Sequence, residues 1–377
     1  MSFNNINKFI NNSKLETPFL VIDLSLVAKS YKNIKKFFPD SRIYYAVKAN
    51  PAKEILNILK NEGSYFDVSS RNEIKLCLSQ SIKASNLSFG NTVKKEKDIL
   101  WANKKGVELF AFDSIEELNK IEKNAKNSKV FCRLQVPNQG ANWPLSKKFG
   151  CSVSMAKELM LKAKKKNLFP AGLSFHVGSQ QININRWIES LKLCFEVYSY
   201  LKDNNILLDF INIGGGIPVD YADYNFDIKS FSQKLNNTIK NIFKGEPIKI
   251  ILEPGRSIVA AAGIIESEVI LVSKKNQSDK KRWVYLDIGR FGGLAETEAE
   301  AIRYKIIPVN NSSECSSVNI AGPSCDGADI LYEKYNYELP INLMAGDKVR
   351  FYVAGAYTSV YVSDFNGLQR LREYFIK

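Results

Sequence analysis

Eight short apolar runs alternating with amphipathic stretches constrain this chain more than any other feature. The runs are Ile43–Val47, Tyr65–Val68, Leu87–Phe89, Glu108–Phe112, Val130–Leu134, Gly172–Val177, Phe210–Ile213 and Ile248–Leu252. They are rich in Val, Ile, Leu, Phe and Tyr and are bounded by turn or polar residues, the pattern of buried strands. Between them, Ala52–Asn61, Arg71–Leu78, Lys94–Lys104, Ile115–Asn124, Met155–Lys166, Arg186–Lys202 and Ser230–Phe243 carry apolar residues at helical spacing. Continuous apolar strands separated by helices belong to a parallel sheet covered on both faces. Eight such units over roughly 220 residues match a TIM-like (β/α)8 barrel, with an open doubly wound sheet as the alternative.

Past the eighth run the texture changes. Glu266–Val272, Arg282–Leu286, Ser317–Ala321, Lys348–Val353 and Ser359–Val362 are strand-like, with little helix between them. The expected organisation is a barrel over residues 25–262 and a β domain over 263–377, joined by an N-terminal strand within 17–24. A chain of 377 residues is long enough for one large core and a smaller second one.

The net charge of +14 would suit a nucleic-acid binder, but the lysines are scattered among asparagines along helices, as in Asn103-Lys104-Lys105. With no arginine-rich arm and no aromatic–basic interleaving, a solvated surface is the better reading, and no nucleic-acid partner is expected. The six cysteines form no CxxC pair. No signal peptide and no run of about 20 apolar residues is present, so a reducing cytoplasm is expected, without disulfides, zinc or a membrane partner.

Barrel active sites form at the C-terminal ends of the strands. Those ends carry Lys48 after the first run, Asp67 in the second, Arg133 in the fifth and His176 in the sixth. Gly214-Gly215-Gly216 follows the seventh, and Glu253-Pro254-Gly255-Arg256 follows the eighth. Each has an ordinary explanation: Lys48 as a solvated lysine, the glycines as a tight turn, Glu253 as an ion-pair partner of Arg256, His176 as a satisfied core histidine. Their gathering at one edge favours chemistry instead. A glycine nest and an arginine after strands seven and eight sit where barrels hold phosphate. A lysine able to form a Schiff base, a phosphate site and a carboxylate for a ring nitrogen together point to pyridoxal phosphate. His176 is the only histidine, so no histidine-cluster metal site is expected.

In this order, Tyr45-Ala-Val-Lys-Ala-Asn50, Phe66-Asp67 with Glu73, Phe175-His-Val-Gly-Ser179, Gly214–Gly216, Glu253-Pro-Gly-Arg256, Gly322-Pro-Ser-Cys-Asp-Gly327, Gly355-Ala-Tyr357 and Asp364-Phe-Asn-Gly367 resemble the fold type III pyridoxal-phosphate decarboxylases. That family acts on ornithine, lysine, arginine and diaminopimelate. The resemblance implies an alanine racemase-like barrel with a C-terminal β domain. It implies that Lys48 holds the cofactor, His176 stacks on its ring and Glu253 holds the ring nitrogen protonated. Ser179, Gly215, Gly216, Gly255, Arg256 and Tyr357 would serve the phosphate, supported by Asp67, Glu73 and Arg133. Cys325 and Asp326 would reach the partner subunit's site in a homodimer, Cys325 as proton donor and Asp326 at the substrate's distal ammonium. Phe365 and Glu300 would complete the substrate site, with Glu296 as the alternative to Glu300. Cys325-Asp326-Gly327 resembles the ornithine/lysine branch, so the expected reaction is decarboxylation of L-ornithine to putrescine and carbon dioxide. L-lysine and meso-diaminopimelate are the alternatives, because Gly255-Arg-Ser-Ile-Val-Ala260 also resembles the diaminopimelate enzymes.

Overall fold

The computed structural model describes residues 3–143, 148–222, 226–309 and 314–377. The chain divides into two compact bodies, one of Ala28–Pro218 and Phe226–Gly255, the other of Met1–Val27, Val219–Asn225 and Arg256–Lys377 over their described residues.

The first body is a closed parallel barrel. Its strands are β1 (Ser41–Ala46), β2 (Tyr65–Val68), β3 (Leu87–Phe89), β4 (Leu109–Phe112), β5 (Lys129–Arg133), β6 (Phe169–Ser174), β7 (Phe210–Asn212) and β8 (Lys249–Leu252). They pair in chain order, with β8 against β1. All eight expected runs are therefore barrel strands, each shifted by a few residues at most at its ends. Seven of the surrounding helices fall where apolar spacing places them, from Lys53–Asn61 to Ile228–Ile242. An eighth long helix, Leu24–Phe37, precedes β1. It escapes the strand-then-helix reading because it comes before the first strand.

The strands close because side chains of unequal size fill the interior. Tyr44, Ala111, Phe131, Ala171, Phe210 and Ile251, from six strands, form one buried layer. Phe131 and Phe210 meet edge to face at 5.8 Å, and a Cβ on Gly172 would lie 2.4 Å from the Phe210 ring. Removing one such ring costs about 3–5 kcal/mol.

Loop residues add one buried ion pair. The Lys94 side chain, in the loop after β3, is fully buried, with Nζ 2.9 Å from Glu117 Oε1. It also donates to the carbonyls of Asn91 at 2.7 Å and Ala111 at 2.6 Å. Lys120, one turn along the helix Ile115–Asn124, faces the same carboxylate.

The second body is a mainly antiparallel sheet. Its strands are β9 (Gly263–Ser273), β10 (Arg282–Leu286), β11 (Lys305–Pro308), β12 (Cys315–Ala321), β13 (Ile330–Pro340), β14 (Lys348–Tyr352) and β15 (Arg372–Ile376). The path is β11-β14-β9-β10-β12-β13. The N-terminal strand Phe19–Asp23 pairs antiparallel with β9 and parallel with β15. The expected strand at Ser359–Val362 is not formed; Ser359–Tyr361 is a single tight helical turn. Its β-favouring residues are overridden by the left-handed Tyr357 (φ 53°) and by Thr358, whose hydroxyl bonds the Ala354 carbonyl. Conversely, β13 was not expected, because Glu333-Lys334 interrupts its apolar residues. A strand of an antiparallel sheet with one face in water needs no continuous apolar run.

Candidate active site

The barrel's strand ends bring the expected groups into one electrostatic neighbourhood. β1 stops at Ala46, and a single helical turn, Val47–Ala49, presents Lys48. Asp67 lies in β2, in register with Ala46. Its carboxylate is buried, and Oδ1 has no hydrogen-bond partner among the described residues. Gly90, at the end of β3, permits this placement, since a Cβ there would lie 2.0 Å from Asp67 Oδ1. Burial, and then the neighbouring Glu253 and Glu73 carboxylates, push the Asp67 carboxyl well above the usual range against the pull of Lys48 and Arg133.

Glu73 enters through a helix cap. Ser70 caps Arg71–Ser79 by accepting the Glu73 N–H, while the Glu73 carboxylate accepts the Ser69 N–H at 2.6 Å. Burial raises its pKa, and the Ser69 bond and Lys48 oppose that rise. Arg133 ends β5 and lies over the Phe149 ring at 4.9 Å. Burial lowers its pKa, opposed by Glu253, Asp113 and Asp67.

His176 follows β6 by two residues. Its Nδ1 accepts the Gly178 N–H at 3.0 Å, so the neutral ring carries its proton on Nε2. Burial, Arg133 and Lys48 hold it well below the usual histidine pKa, so it is neutral at pH 7. The glycine loop lies beside this ring. A Cβ on Gly215 would come 3.3 Å from His176 Nε2 and 2.7 Å from the Glu253 carbonyl oxygen. Gly214 and Gly216 adopt φ of 68° and 92°, and a Cβ on either would lie 2.3 Å from a backbone carbonyl. The Gly216 carbonyl accepts the Gln181 N–H at 3.0 Å, which ties the loop to the short strand Ser179–Gln181 that begins at Ser179.

Glu253 follows β8, and Asn212 of β7 donates to its Oε1 at 2.5 Å. Asn212 also accepts the Gly214 N–H at 2.9 Å, so one residue sets both the carboxylate and the glycine loop. Sequence reasoning missed it. The signal was a lone polar residue inside the apolar run Phe210–Ile213.

The remaining expected residues lie in the second body. Gly255 is the exception, as the last residue of the barrel body, and Arg256 opens the C-terminal segment of the other. Arg256 is buried in an ion pair with Glu296 at 2.7 Å, bonds the Tyr221 hydroxyl at 3.0 Å and lies over the Tyr357 ring at 4.7 Å. Glu296 is thus committed to Arg256. Glu300, expected at a substrate amine, is engaged with backbone. Its carboxylate accepts the N–H groups of Glu333 at 2.8 Å, Lys334 at 2.6 Å and Tyr335 at 2.8 Å. Burial would raise its pKa, but these donors and Arg303 hold it below the usual range. Glu300 anchors β13 where its register against β12 shifts, and partners 33 residues away in sequence could not reveal that.

Cys325 and Asp326 are exposed in the loop between β12 and β13, and Phe365 is exposed as well. The Cys325 N–H donates to Asn366 Oδ1 at 2.9 Å, and Asp326 Oδ1 accepts the Ala328 N–H at 2.8 Å. Phe365 packs on Phe291 with ring centroids 4.7 Å apart.

The barrel residues fit pyridoxal phosphate. They offer an amine, a carboxylate oriented by Asn212, a flat neutral imidazole, a glycine loop free of side chains and an unpartnered buried carboxylate oxygen at Asp67. The model for the pyridoxal-dependent decarboxylases, pyridoxal binding domain, matches residues 24–260. A lysine/ornithine decarboxylase of Selenomonas ruminantium is 31% identical over 355 residues, 94% of this chain and 88% of its own. The arginine decarboxylase of Paramecium bursaria Chlorella virus, solved with agmatine, superposes with a TM-score of 0.91 at 26% identity over 100% of both chains. The lysine/ornithine decarboxylase of Vibrio vulnificus, solved with putrescine, gives 0.88 at 29% identity, covering 100% of this chain and 98% of that one.

Proposed function

This chain belongs to the pyridoxal-dependent decarboxylases, with pyridoxal 5'-phosphate as cofactor, and we propose that it converts L-ornithine to putrescine and carbon dioxide. The observation that carries the substrate reading is the exposed Cys325-Asp326-Gly327 loop, where a thiol stands beside a carboxylate already turned by the Ala328 N–H. A carboxylate in that place suits the distal ammonium of a diamino acid. The similar proteins named for lysine/ornithine substrates agree with this class.

When bound, pyridoxal phosphate supplies an electron sink for the pair released as the bond to the carboxylate breaks. Lys48 would hold the cofactor through its Nζ. Glu253, kept in place by Asn212, would serve the ring nitrogen and favour its protonated form. His176, neutral and fixed through Nδ1, would offer its flat face to the ring. Gly215 and Gly216, without side chains, would bind the phosphate through backbone N–H groups. As carbon dioxide leaves, its bonding pair stays with the substrate. Cys325 Sγ gives its proton to the carbon that lost the carboxylate, and the thiolate regains a proton from water. One proton is consumed per turnover.

Cys325 and Asp326 act on the site of a second copy of the chain, in a homodimer with shared sites. Phe365 and Tyr361, 40% and 43% exposed on the same body, are apolar surface that a second copy would cover. The Glu300 carboxylate accepts three backbone N–H groups, so the distinction between ornithine and lysine is left to Asp326. L-lysine therefore stands as the second reading, with Asp326 able to meet either ammonium.

The test is carbon dioxide release from the holoenzyme with L-ornithine, L-lysine, L-arginine and meso-diaminopimelate. Preference for ornithine supports the reading. Release from lysine or diaminopimelate alone keeps the cofactor chemistry and replaces the substrate. No release from any, with cofactor bound, removes decarboxylation of this class.

A further inference from the structure

The loop that carries Cys325 is exposed, yet it is held by a closed circuit of contacts within its own body. Asp329, at the far end of the loop, is buried. Its carboxylate accepts the Arg290 N–H at 2.7 Å and the Ser324 N–H at 3.1 Å, and its carbonyl accepts the Gly322 N–H at 2.8 Å. The approach is so close that a Cβ on Gly289 would lie 2.2 Å from the carboxylate, and one on Gly322 2.4 Å. Asp329 N–H donates to the Asp326 carbonyl at 3.0 Å. One residue thus joins both ends of the loop to the segment after β10.

The circuit returns from the other side. Beyond Arg290, the Phe291 carbonyl accepts the Ser363 N–H at 2.9 Å, and the Phe291 ring packs on Phe365. The next residue, Asn366, takes a left-handed conformation, φ 57°, and its Oδ1 accepts the Cys325 N–H. Asparagine tolerates that backbone better than most side chains, and it brings the acceptor as well. The path therefore runs from Cys325 through Asn366, Phe365, Phe291, Arg290 and Asp329 back to Ser324.

We propose that Asn366 and Asp329 are positioning residues for the reaction, fixing the backbone of Cys325 and Asp326 so that the thiol is aimed before substrate arrives. The proposal rests on the reading of Cys325 as proton donor. A proton-transfer group must lie within hydrogen-bond reach of its target, and a displacement of about 1 Å can cost about a hundredfold in rate. Asn366 acts on Cys325 alone, through one backbone N–H. Asp329 acts on the whole loop and so on Asp326 too.

Asn366→Gly separates the two properties of the residue, keeping the left-handed backbone and removing the acceptor. In the holoenzyme, its kcat is expected to fall about tenfold to a hundredfold, with KM for the best diamino acid, bound-cofactor absorbance and thermal midpoint unchanged. Asn366→Asp keeps an acceptor and is expected to recover most of that loss. Asp329→Asn is expected to lower kcat and raise KM together. Full kcat in Asn366→Gly would overturn the proposal, as would an Asn366→Asp variant no better than the glycine one. Loss of cofactor and thermal midpoint along with kcat in Asn366→Gly would also overturn it, because the residue would then be supporting the fold. Cys325→Ala measured alongside separates the two claims. Wild-type turnover in Cys325→Ala removes the proton-donor reading itself. Slow turnover in Cys325→Ala with full speed in Asn366→Gly removes only the positioning role.

Discussion

The loop after β3 and the strand ends around Lys48 both place ionisable groups inside the same barrel body, and they treat charge in opposite ways. Lys94 is surrounded by acceptors: two carbonyls, the Glu117 carboxylate and the Phe89 ring 5.5 Å away. Its charge joins the β3 loop, β4 and the helix Ile115–Asn124. Near Lys48, Glu253 and Glu73 push on the buried Asp67 carboxyl, and one oxygen of Asp67 lacks a partner among the described residues. A satisfied network holds structure in place. An unsatisfied one costs stability in the free protein and gains from a ligand that completes it.

The largest expected effect lies on the reactive side. Lys48→Ala should lower carbon dioxide release about 10⁴-fold or more while leaving the thermal midpoint near that of the unaltered protein. A large loss of stability in this variant would break the contrast, because Lys48 would then be holding the fold.

Lys94→Met should do the reverse. It strands Glu117 and two carbonyls, for a loss of about 3 kcal/mol in urea unfolding, while the folded fraction turns over normally. The value sits at the low end for a broken buried pair because Lys120 still faces Glu117.

The two regions should also differ in how stability follows pH. Burial lowers the Lys94 pKa from 10.5 to about 8, against the pull of Glu117. The unfolded chain then binds more protons between those values, so stability should rise with pH from about 8 to 10.5, by up to about 3 kcal/mol. Chemical unfolding of the wild type and of Lys94→Met across that window checks this. A rise of equal slope in both would assign it to another group.

The smallest effect sharpens the comparison most. The raised pKa of Asp67 means that the folded state holds its proton more tightly than the unfolded one. Its stability contribution is therefore lost as pH rises through the folded pKa. Asp67→Asn should stabilise the cofactor-free protein by about 1 kcal/mol at neutral pH and weaken catalysis. Calorimetry with and without cofactor would test it. A destabilised cofactor-free variant would mean that the carboxylate has a structural role.

Only one of the two clusters was visible as a site, and Lys94, expected to begin a helix, lies in the loop before it. Lys48, Asp67, Arg133, His176 and Glu253 stood out because each sits at or near the end of an apolar run, and a parallel barrel gathers those ends. Lys94 looked like one more lysine in Lys94-Lys95-Glu96-Lys97, and nothing local says that this one turns inward to meet Glu117. Asn366 stood within a quoted motif and Asp329 two residues past another, but neither showed its role, since 41 residues separate Asn366 from the Cys325 N–H that it accepts. Glu300 is the same case from the other side: its backbone partners lie 33 to 35 residues away, beyond the reach of any local pattern.

The sequence by itself determined the barrel, its strand ends and the residue types placed there. Those depend on short-range rules, apolar periodicity, caps and turn residues, which are complete within a dozen positions. Only the tertiary structure decided which charges were satisfied. Asn212 orients Glu253, Glu296 takes Arg256, Glu300 accepts backbone N–H groups of β13, and Asn366 and Asp329 hold the Cys325 loop. A hydrogen bond needs its partners within about 3 Å and correctly aimed. Folding brings distant residues to that range, and no spacing along the chain records it.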